Sequence, residues 1–399
     1  MRTTTHVPRI CVLLGCGIAS SAQIGKAIIA LPLIQQQMML GLESASLLIA
    51  VFATLGAFLA MGAGIIGRKL GPRRTLLLGM SVMAVASGVG GCMSDFHALL
   101  LTRIIEGVGF LGAVVVVPDL MRKNVSLKNR DLILGLWGTY MPIGSGGVLF
   151  LGPLLQSYGW QNMWFALTGF VVVMALLAYV VLPSDDMIEE GVEPEPDIRF
   201  SWADIKTVLM SRPCQILAAM FGLYTFQYFI LAGFMPLLFV EQLGLTLSSA
   251  SLLTAIAIYT NALGNISASF LLRAGMPIWL NMTLTFLTFG ATSLLIYTHF
   301  VSPFFIAFAA ALTLGMAGLT PASTFAALPR LVARRDLVTP TVGMIQQASN
   351  IGQFIGPLLI GFLVPHFGWS AAPALVIPTA LIGVITVAYL RVHLLKYAS

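Results

Sequence analysis

Gly152-Pro153-Leu154-Leu155-Gln156-Ser157-Tyr158-Gly159-Trp160 is matched further along the chain by Gly356-Pro357-Leu358-Leu359 leading to Phe367-Gly368-Trp369. The copies start 204 residues apart in a chain of 399. An offset of about half the length is the mark of one fold written twice. Each copy lies between long apolar runs, so the meaning of the repeat depends on what those runs are.

Hydrophobic residues make up 58% of the chain and charged residues 9%, against roughly 45–50% and about 25% in soluble domains. Such a surface cannot face water. The runs are long enough to cross a bilayer, where about 20 residues of helix span the hydrocarbon and satisfy their own backbone groups. Twelve spans are expected, near 10–32, 44–67, 75–94, 98–121, 131–155, 160–182, 213–240, 248–271, 276–298, 302–328, 338–364 and 369–394. They are continuously apolar and rich in Leu, Ala, Met and Gly, which excludes a barrel of strands alternating over about ten residues. The expected fold is an all-α membrane protein of twelve transmembrane helices in two pseudo-symmetric six-helix bundles. Two halves around one axis suggest a transporter. The first apolar run is too long for a removable signal peptide, and no small-residue cleavage site follows it.

Orientation follows from the 21 Lys and Arg. Arg68, Lys69, Arg73 and Arg74 lie between spans 2 and 3; Arg122, Lys123, Lys128 and Arg130 between spans 4 and 5; Arg330, Arg334 and Arg335 between spans 10 and 11. The connections on the opposite side, near 33–43, 95–97, 156–159, 241–247, 299–301 and 365–368, contain none. By the positive-inside rule both termini are expected in the cytoplasm, with the protein a multi-pass monomer of the inner membrane. The same asymmetry accounts for the net charge of +6 without nucleic acid as a partner. Lys26 and Arg103 alone escape the cytoplasmic loops.

One composition break interrupts the pattern. The segment 183–212 carries eight of the chain's fifteen acids, among them Asp185, Glu193 and Asp204, with Pro194 and Pro196 interspersed. It reads as an acidic cytoplasmic linker between an N-terminal bundle over 1–182 and a C-terminal bundle over 213–399, with Trp202 to Leu209 able to form a short surface helix. The far-side connections are short, so recognition of a small-molecule substrate must occur inside the bundles. Cys11, Cys16, Cys92 and Cys214 show no ligand or disulfide spacing, and no cofactor or metal is expected.

The turn between spans 2 and 3 reads Gly64-Ile65-Ile66-Gly67-Arg68-Lys69-Leu70-Gly71-Pro72-Arg73-Arg74. It resembles the loop signature of the major facilitator superfamily, with Arg68 where the family has an acid. That resemblance implies a gating loop of Gly64, Arg68, Gly71, Arg73 and Arg74 whose locking ion pair is altered; a topology signal would explain the same cations. In span 4, Arg103-Ile104-Ile105-Glu106-Gly107-Val108-Gly109 resembles the superfamily's span-4 motif, with Glu106 replacing a common Gln. The glycines of span 5, Gly135, Gly138, Gly144, Gly146, Gly147 and Gly152, resemble a motif associated with exporters, although close packing alone would need them and span 11 repeats the theme. Ala30-Leu31-Pro32 resembles part of a drug and proton antiporter motif, with Gln23 in place of its membrane acid. Val117-Pro118 through Trp137 is similar to the branch of cyanate and nitroimidazole transporters.

A buried charge costs about 2.5–3.5 kcal/mol at a helix centre on insertion scales, so it normally faces a cavity or a partner. Lys26 and Arg103 each lie about six residues inside the far end of their spans, roughly 9 Å deep. The resemblance puts spans 1, 4, 7 and 10 around a central cavity, where Lys26, Arg103 and Glu106 would form a cluster of charge +1 that an anion neutralises. Arg103 and Glu106, spaced i, i+3, could instead only neutralise each other, and Lys26 could snorkel to the headgroups. Gln23, one turn from Lys26, extends the polar stripe. Further stripes join Tyr224, Gln227 and Tyr228 on span 7, Asn261 and Asn265 on span 8, and Gln346, Gln347 and Asn350 on span 11, with Trp137 and Tyr140 on span 5. Converging from both halves they favour a polar substrate cavity, and as single residues they are equally helix-to-helix hydrogen bonds.

The leading expectation is a secondary active transporter of a small organic or inorganic anion, with Glu106 and Arg103 coupling protons. No phosphate-binding loop for ATP occurs. Export of lipophilic drugs in exchange for protons is the alternative, and a membrane sensor without transport is the reading from another class. No constellation of catalytic groups points to an enzyme.

Overall fold

The computed structural model describes residues 5–126, 129, 133, 136–185, 202–298, 301–332, 334 and 337–396. Most of the acidic linker, together with Lys128, Arg130 and Arg335, therefore lies outside the described residues, as do the side chains of Gly64 and Arg68.

No strand occurs among the described residues. The first half contains α1 (Val7–Gln37), α2 (Leu42–Ala50), α3 (Thr54–Leu70), α4 (Pro72–Gly91), α5 (Phe96–Asn124), α6 (Tyr140–Gln156) and α7 (Trp160–Val181). A single 3-10 turn, Val51–Ala53, joins α2 to α3 as one span. After the short α8 (Trp202–Met210), where the sequence leads one to expect a surface helix, the second half contains α9 (Arg212–Ala232), α10 (Met235–Leu243), α11 (Leu247–Arg273), α12 (Ile278–Tyr297), α13 (Pro303–Ala317), α14 (Leu319–Leu331), α15 (Val338–Phe367) and α16 (Pro373–Lys396). Eleven of the described helical stretches are long and apolar enough to cross a membrane, and α6 supplies the remaining span. Large apolar side chains such as Phe58, Leu101, Val180 and Phe304 point outward, which is stable only against lipid.

Two expected spans are broken. Span 7 is α9 and α10, interrupted at Gly233 and Phe234 just before Pro236, and span 10 is α13 and α14, interrupted at Gly318. Proline lacks the N–H that a continuing helix requires, which places the first break. Span 1, by contrast, runs through Pro32 to Gln37, five residues beyond the expected end.

The seam between the halves is made by α6 against α11 and by α15 against both α2 and α3. Glycines of spans 5 and 11 serve packing at this seam and within each bundle. A side chain on Gly146 would press on Tyr259 across the seam, one on Gly361 would strike Ser46, and one on Gly25 of α1 would come within 2.6 Å of the Ser145 backbone on α6. Within span 5, side chains on Gly144 and Gly152 would likewise strike Ser21 and Ile29 of α1.

Each repeated Gly-Trp pair begins a helix. Gly159 has φ +82° and Gly368 φ +75°, the left-handed region that a side chain would strain. The Trp160 indole then donates to Gln37 Oε1 at 2.7 Å, and the Trp369 indole to Glu241 Oε2 at 2.7 Å. Gln37 and Glu241 end α1 and lie late in α10, 204 residues apart. The sequence repeat is thus a pair of equivalent ties at the end of the bundle that lacks Lys and Arg.

Candidate functional site

The charges that sequence placed in spans 1 and 4 meet. Lys26 Nζ lies 3.0 Å from Glu106 Oε1 and donates to Ser87 Oγ at 2.7 Å, while its ammonium sits 4.4 Å above the Trp164 ring. Arg103 pairs with the second oxygen, Glu106 Oε2, and donates to the Gln23 carbonyl at 3.0 Å and the Leu48 carbonyl at 3.3 Å. Its guanidinium lies 4.5 Å from the Phe52 ring centre. Lys26, Arg103 and Glu106 are all at most 1% exposed, so Lys26 does not snorkel.

One carboxylate between two cations leaves a formal charge of +1. Desolvating three ions costs several kcal/mol each, and the arrangement persists only because each ion is paired and hydrogen-bonded. The hydrogen bonds complete that shell. Ser87 donates to Gln23 Oε1 at 3.2 Å, Thr168 Oγ1 donates to Ser87 Oγ at 2.8 Å, and Gln23 Nε2 donates to the Leu167 carbonyl at 3.3 Å. Ser87, Thr168, Trp164 and Phe52 were not marked by the sequence reading. Isolated hydroxyls and aromatics are ordinary in membrane helices, and only the fold brings these to one point.

The cluster's partners come from α1, α2, α4, α5 and α7 and the 3-10 turn, all in the first bundle. The aromatic stripes lie elsewhere. Trp137 stacks on Tyr140 at 4.1 Å against Gly17 of α1. Tyr224 packs between Phe221 and Tyr228. Asn261 Nδ2 donates to the Leu314 carbonyl at 2.9 Å, next to the break in span 10. Gln227 turns from its two tyrosines to α16, donating to the Val376 carbonyl at 3.1 Å and Thr379 Oγ1 at 3.0 Å. On α15, Asn350 donates to Gln346 O at 2.7 Å and stands against Gly56 of α3 across the seam, while Gln346 and Gln347 are half-buried. Asn265 also crosses, donating to Gly138 O at 3.1 Å. The cations therefore take Trp164 and Phe52 as aromatic neighbours, and the other aromatics form separate groups.

At the basic turn, Gly71 has φ +90°. Asp185, at the start of the linker that follows α7, accepts from the backbone N–H of Arg73 at 2.8 Å and of Arg74 at 3.2 Å, which places a carboxylate on the free N–H groups that begin α4. A side chain on Gly71 would collide with that carboxylate. Arg73 also donates to the Tyr179 carbonyl at 2.6 Å. With Arg68 in the family's acidic place, an acid reaches this turn from the start of the linker.

This topology, with a basic turn after span 2 and tight glycines in span 4, coincides with a family model. A model of the Major Facilitator Superfamily matches residues 13–339 and 223–396. The chain belongs to the Major Facilitator Superfamily. It is a multi-pass membrane protein of a transporter family. Among other superfamily members it is 22% identical to the hexuronate transporter of Bacillus subtilis over 92% of this chain and 90% of that one. It is 28% identical to an uncharacterized MFS-type transporter of Mycobacterium tuberculosis over 44% of this chain, a match that spans only 29% of that protein. A multidrug efflux pump of Mycolicibacterium smegmatis is 26% identical over 42% of this chain and 32% of its own length. In fold, the chain is similar to a bacterial homolog of the human lysosomal transporter Spinster, solved in an inward-facing and unoccupied conformation, with a TM-score of 0.69, 15% identity and coverage of 99% of this chain and 97% of that one.

Proposed function

We propose that this member of the Major Facilitator Superfamily is a secondary active transporter that carries a small organic anion by alternating access of its two bundles, together with a proton held on Glu106. The observation that carries this reading is the bridging position of Glu106 between Lys26 and Arg103. Protonating the carboxylate raises the cluster from +1 to +2 in a medium of low dielectric, where an uncompensated charge is costly. An anion that arrives with the proton restores the balance. Protonation thus strengthens the cluster's hold on an anion and a bound anion favours protonation, the reciprocal linkage that symport requires. The hexuronate transporter, which resembles the chain over nearly its full length, is named for a carboxylate. On this reading the protein is a monomer of the inner membrane with both termini in the cytoplasm, as the distribution of Lys and Arg suggests.

Uptake into proteoliposomes, with hexuronates and aromatic monocarboxylates as substrates and with or without a pH gradient, tests the proposal. Gradient-driven uptake is expected in the wild type and is expected to be lost in Glu106→Gln, with exchange of labelled for unlabelled substrate retained. Glu106→Asp, which keeps the charge, is the folded control. An unchanged gradient response in Glu106→Gln sinks the coupling.

A second reading, export of lipophilic compounds, is favoured by the Trp137–Tyr140 and Tyr224–Tyr228 groups standing apart from the cations. Resistance profiling of a deletion strain separates the two: wider drug sensitivity with anion uptake intact would favour export.

A further inference from the structure

The 3-10 turn that joins α2 to α3 lies between the charge cluster and the seam. On one side it packs against α5, where Gly107 stands so close to the Phe52 carbonyl that a Cβ would strike it, and where the Phe52 and Phe110 rings lie 5.2 Å apart. On the other side α15 packs along α2, the turn and α3 in succession. Arg103 reaches this element twice: its Nε donates to the carbonyl of Leu48 in the last turn of α2, and its guanidinium lies over the Phe52 ring. The same guanidinium is paired with Glu106. One side chain thus joins the carboxylate to the part of the first bundle that touches the second.

Span 2 also holds an alternative to the turn. The Thr54 N–H bonds to the Val51 carbonyl, three residues back, and the Thr54 hydroxyl oxygen is buried without a partner. Elsewhere in the chain threonines inside helices return their hydroxyl to the carbonyl four residues back, as Thr254 does to Ala250 at 2.7 Å and Thr341 to Leu337 at 2.7 Å. Rewinding the turn into α-helix would present the Ala50 carbonyl to Thr54 in the same way, and closing a buried hydrogen bond left unmade is favourable. A short 3-10 stretch inside a helix commonly marks a hinge. In the second half the equivalent contact, Gly318 against the Asn261 carbonyl, has Leu314 and Ala317 at the spacings of Arg103 and Glu106, so it carries no charge.

We propose that the 3-10 turn of span 2 is the joint through which the charge on Glu106 sets the outer part of the seam, with Arg103 as the positioning residue between them. This rests on the proton-coupled reading of Glu106. While the carboxylate is charged, Arg103 divides its hydrogen bonds between Glu106 and the carbonyls of Gln23 and Leu48. Once the carboxylate is protonated, the guanidinium has only neutral oxygens left, and it draws the Leu48 carbonyl and the end of α2 toward α5. The turn rewinds, Thr54 gains its bond, and α2 moves off α15 at the place where Gly361 lies against Ser46. The charged groups facing Glu106 are Lys26 from α1 and Arg103 from its own helix. On the Lys26 side α4 brings Ser87 and α7 brings Trp164, and the α2 end brings the Leu48 carbonyl and Phe52 to Arg103; none of these titrates. Proton sensitivity thus enters through the first bundle alone.

Spin labels at exposed outer residues of the two helices, Glu43→Cys on α2 and His366→Cys on α15, report the seam as a distance in the full-length protein with Cys11 and Cys92 replaced by alanine. Double electron–electron resonance is expected to show a shift of several ångström toward longer distances at low pH, and a distance that ignores pH in Glu106→Gln. Infrared difference spectra follow Glu106 itself, through a protonated-carboxyl band that is absent from Glu106→Gln. In Gly107→Ala, which pushes on the Phe52 carbonyl, and in Phe52→Leu, which removes the ring under Arg103, the band is expected to remain while the distance shift falls several-fold. A shift of wild-type size in both variants overturns the proposal. So does a wild-type seam that stays fixed while the Glu106 band appears. A wild type without that band is a different failure, that of the coupling reading, and it takes the joint with it.

Discussion

Gln23 and Gln227 occupy equivalent places in the two halves, 204 residues apart, and each donates to the carbonyl of the residue seven positions after the repeated tryptophan, Leu167 and Val376 respectively. The two amides tie the first helix of each bundle to its last. They differ in what their oxygens meet: Gln23 Oε1 accepts from Ser87, whereas Gln227 Oε1 is buried without a partner.

That difference predicts unequal responses to the same change. A buried hydrogen bond contributes about 1 kcal/mol net, and an unpaired buried acceptor costs about 1–3 kcal/mol. Gln227→Leu removes an orphaned oxygen together with the tie and should be close to neutral. Gln23→Leu strips a partner from Ser87 beside the charges and should lower the unfolding midpoint clearly. Thermal unfolding of the detergent-purified variants, side by side, checks the order; equal losses would contradict it.

The cluster predicts a second order. Removing the shared carboxylate in Glu106→Gln leaves two buried cations uncompensated, and breaking a buried pair costs about 3–5 kcal/mol. Lys26→Met removes one cation, leaves the Arg103–Glu106 pair neutral and fills most of the volume. Lys26→Met is therefore expected to be the more stable of the two, as measured by thermal unfolding and by the folded yield in membranes.

Asp185 serves α4 as a carboxylate cap. Losing such a cap costs about 0.5–2 kcal/mol, so Asp185→Asn should loosen the turn modestly. Gly71→Ala, strained at its φ and in collision with Asp185, should do more. Limited proteolysis at the turn between α3 and α4 is the readout, with faster cleavage expected in both and the greater increase in Gly71→Ala.

Glu241 accepts the Trp369 indole where the first half uses Gln37. Since an amide does this work at the equivalent position, Glu241→Gln should leave stability within about 0.5 kcal/mol, the range of ordinary surface substitutions. Trp369→Phe loses the donor and should cost about 1 kcal/mol. Thermal unfolding separates them.

Much of the fold was legible because lipid leaves little choice. Runs of about 20 apolar residues in hydrocarbon must be helices, and the offset between the GPLL copies announced two halves. The breaks at Gly233 and Gly318 were less legible, since glycine in a membrane helix equally signals close packing. Gly107 illustrates the point: it lies against the Phe52 carbonyl as Gly318 lies against the Asn261 carbonyl, yet only the second interrupts its helix. A cluster of Lys26, Arg103 and Glu106 was an expectation from depth along the helices together with the resemblance that puts spans 1 and 4 around one cavity, beside the alternatives of snorkelling and local pairing. Its surroundings were not, because depth fixes height along a helix and leaves the neighbouring helix open.

Sequence by itself determined the class of the protein, the number of its spans and its internal duplication, since these follow from hydropathy, charge distribution and a repeat, all of which are written along one dimension. Tertiary structure decided which faces meet. It turned Lys26 toward Ser87 and Trp164, drew Gln227 away from its tyrosines to α16, brought Asp185 to the start of α4 and left Trp164 Nε1 unpartnered opposite Gly90. The reason is physical: a hydrogen bond between helices is set by rotation about each helix axis and by the neighbour it faces, and both come from packing the whole bundle.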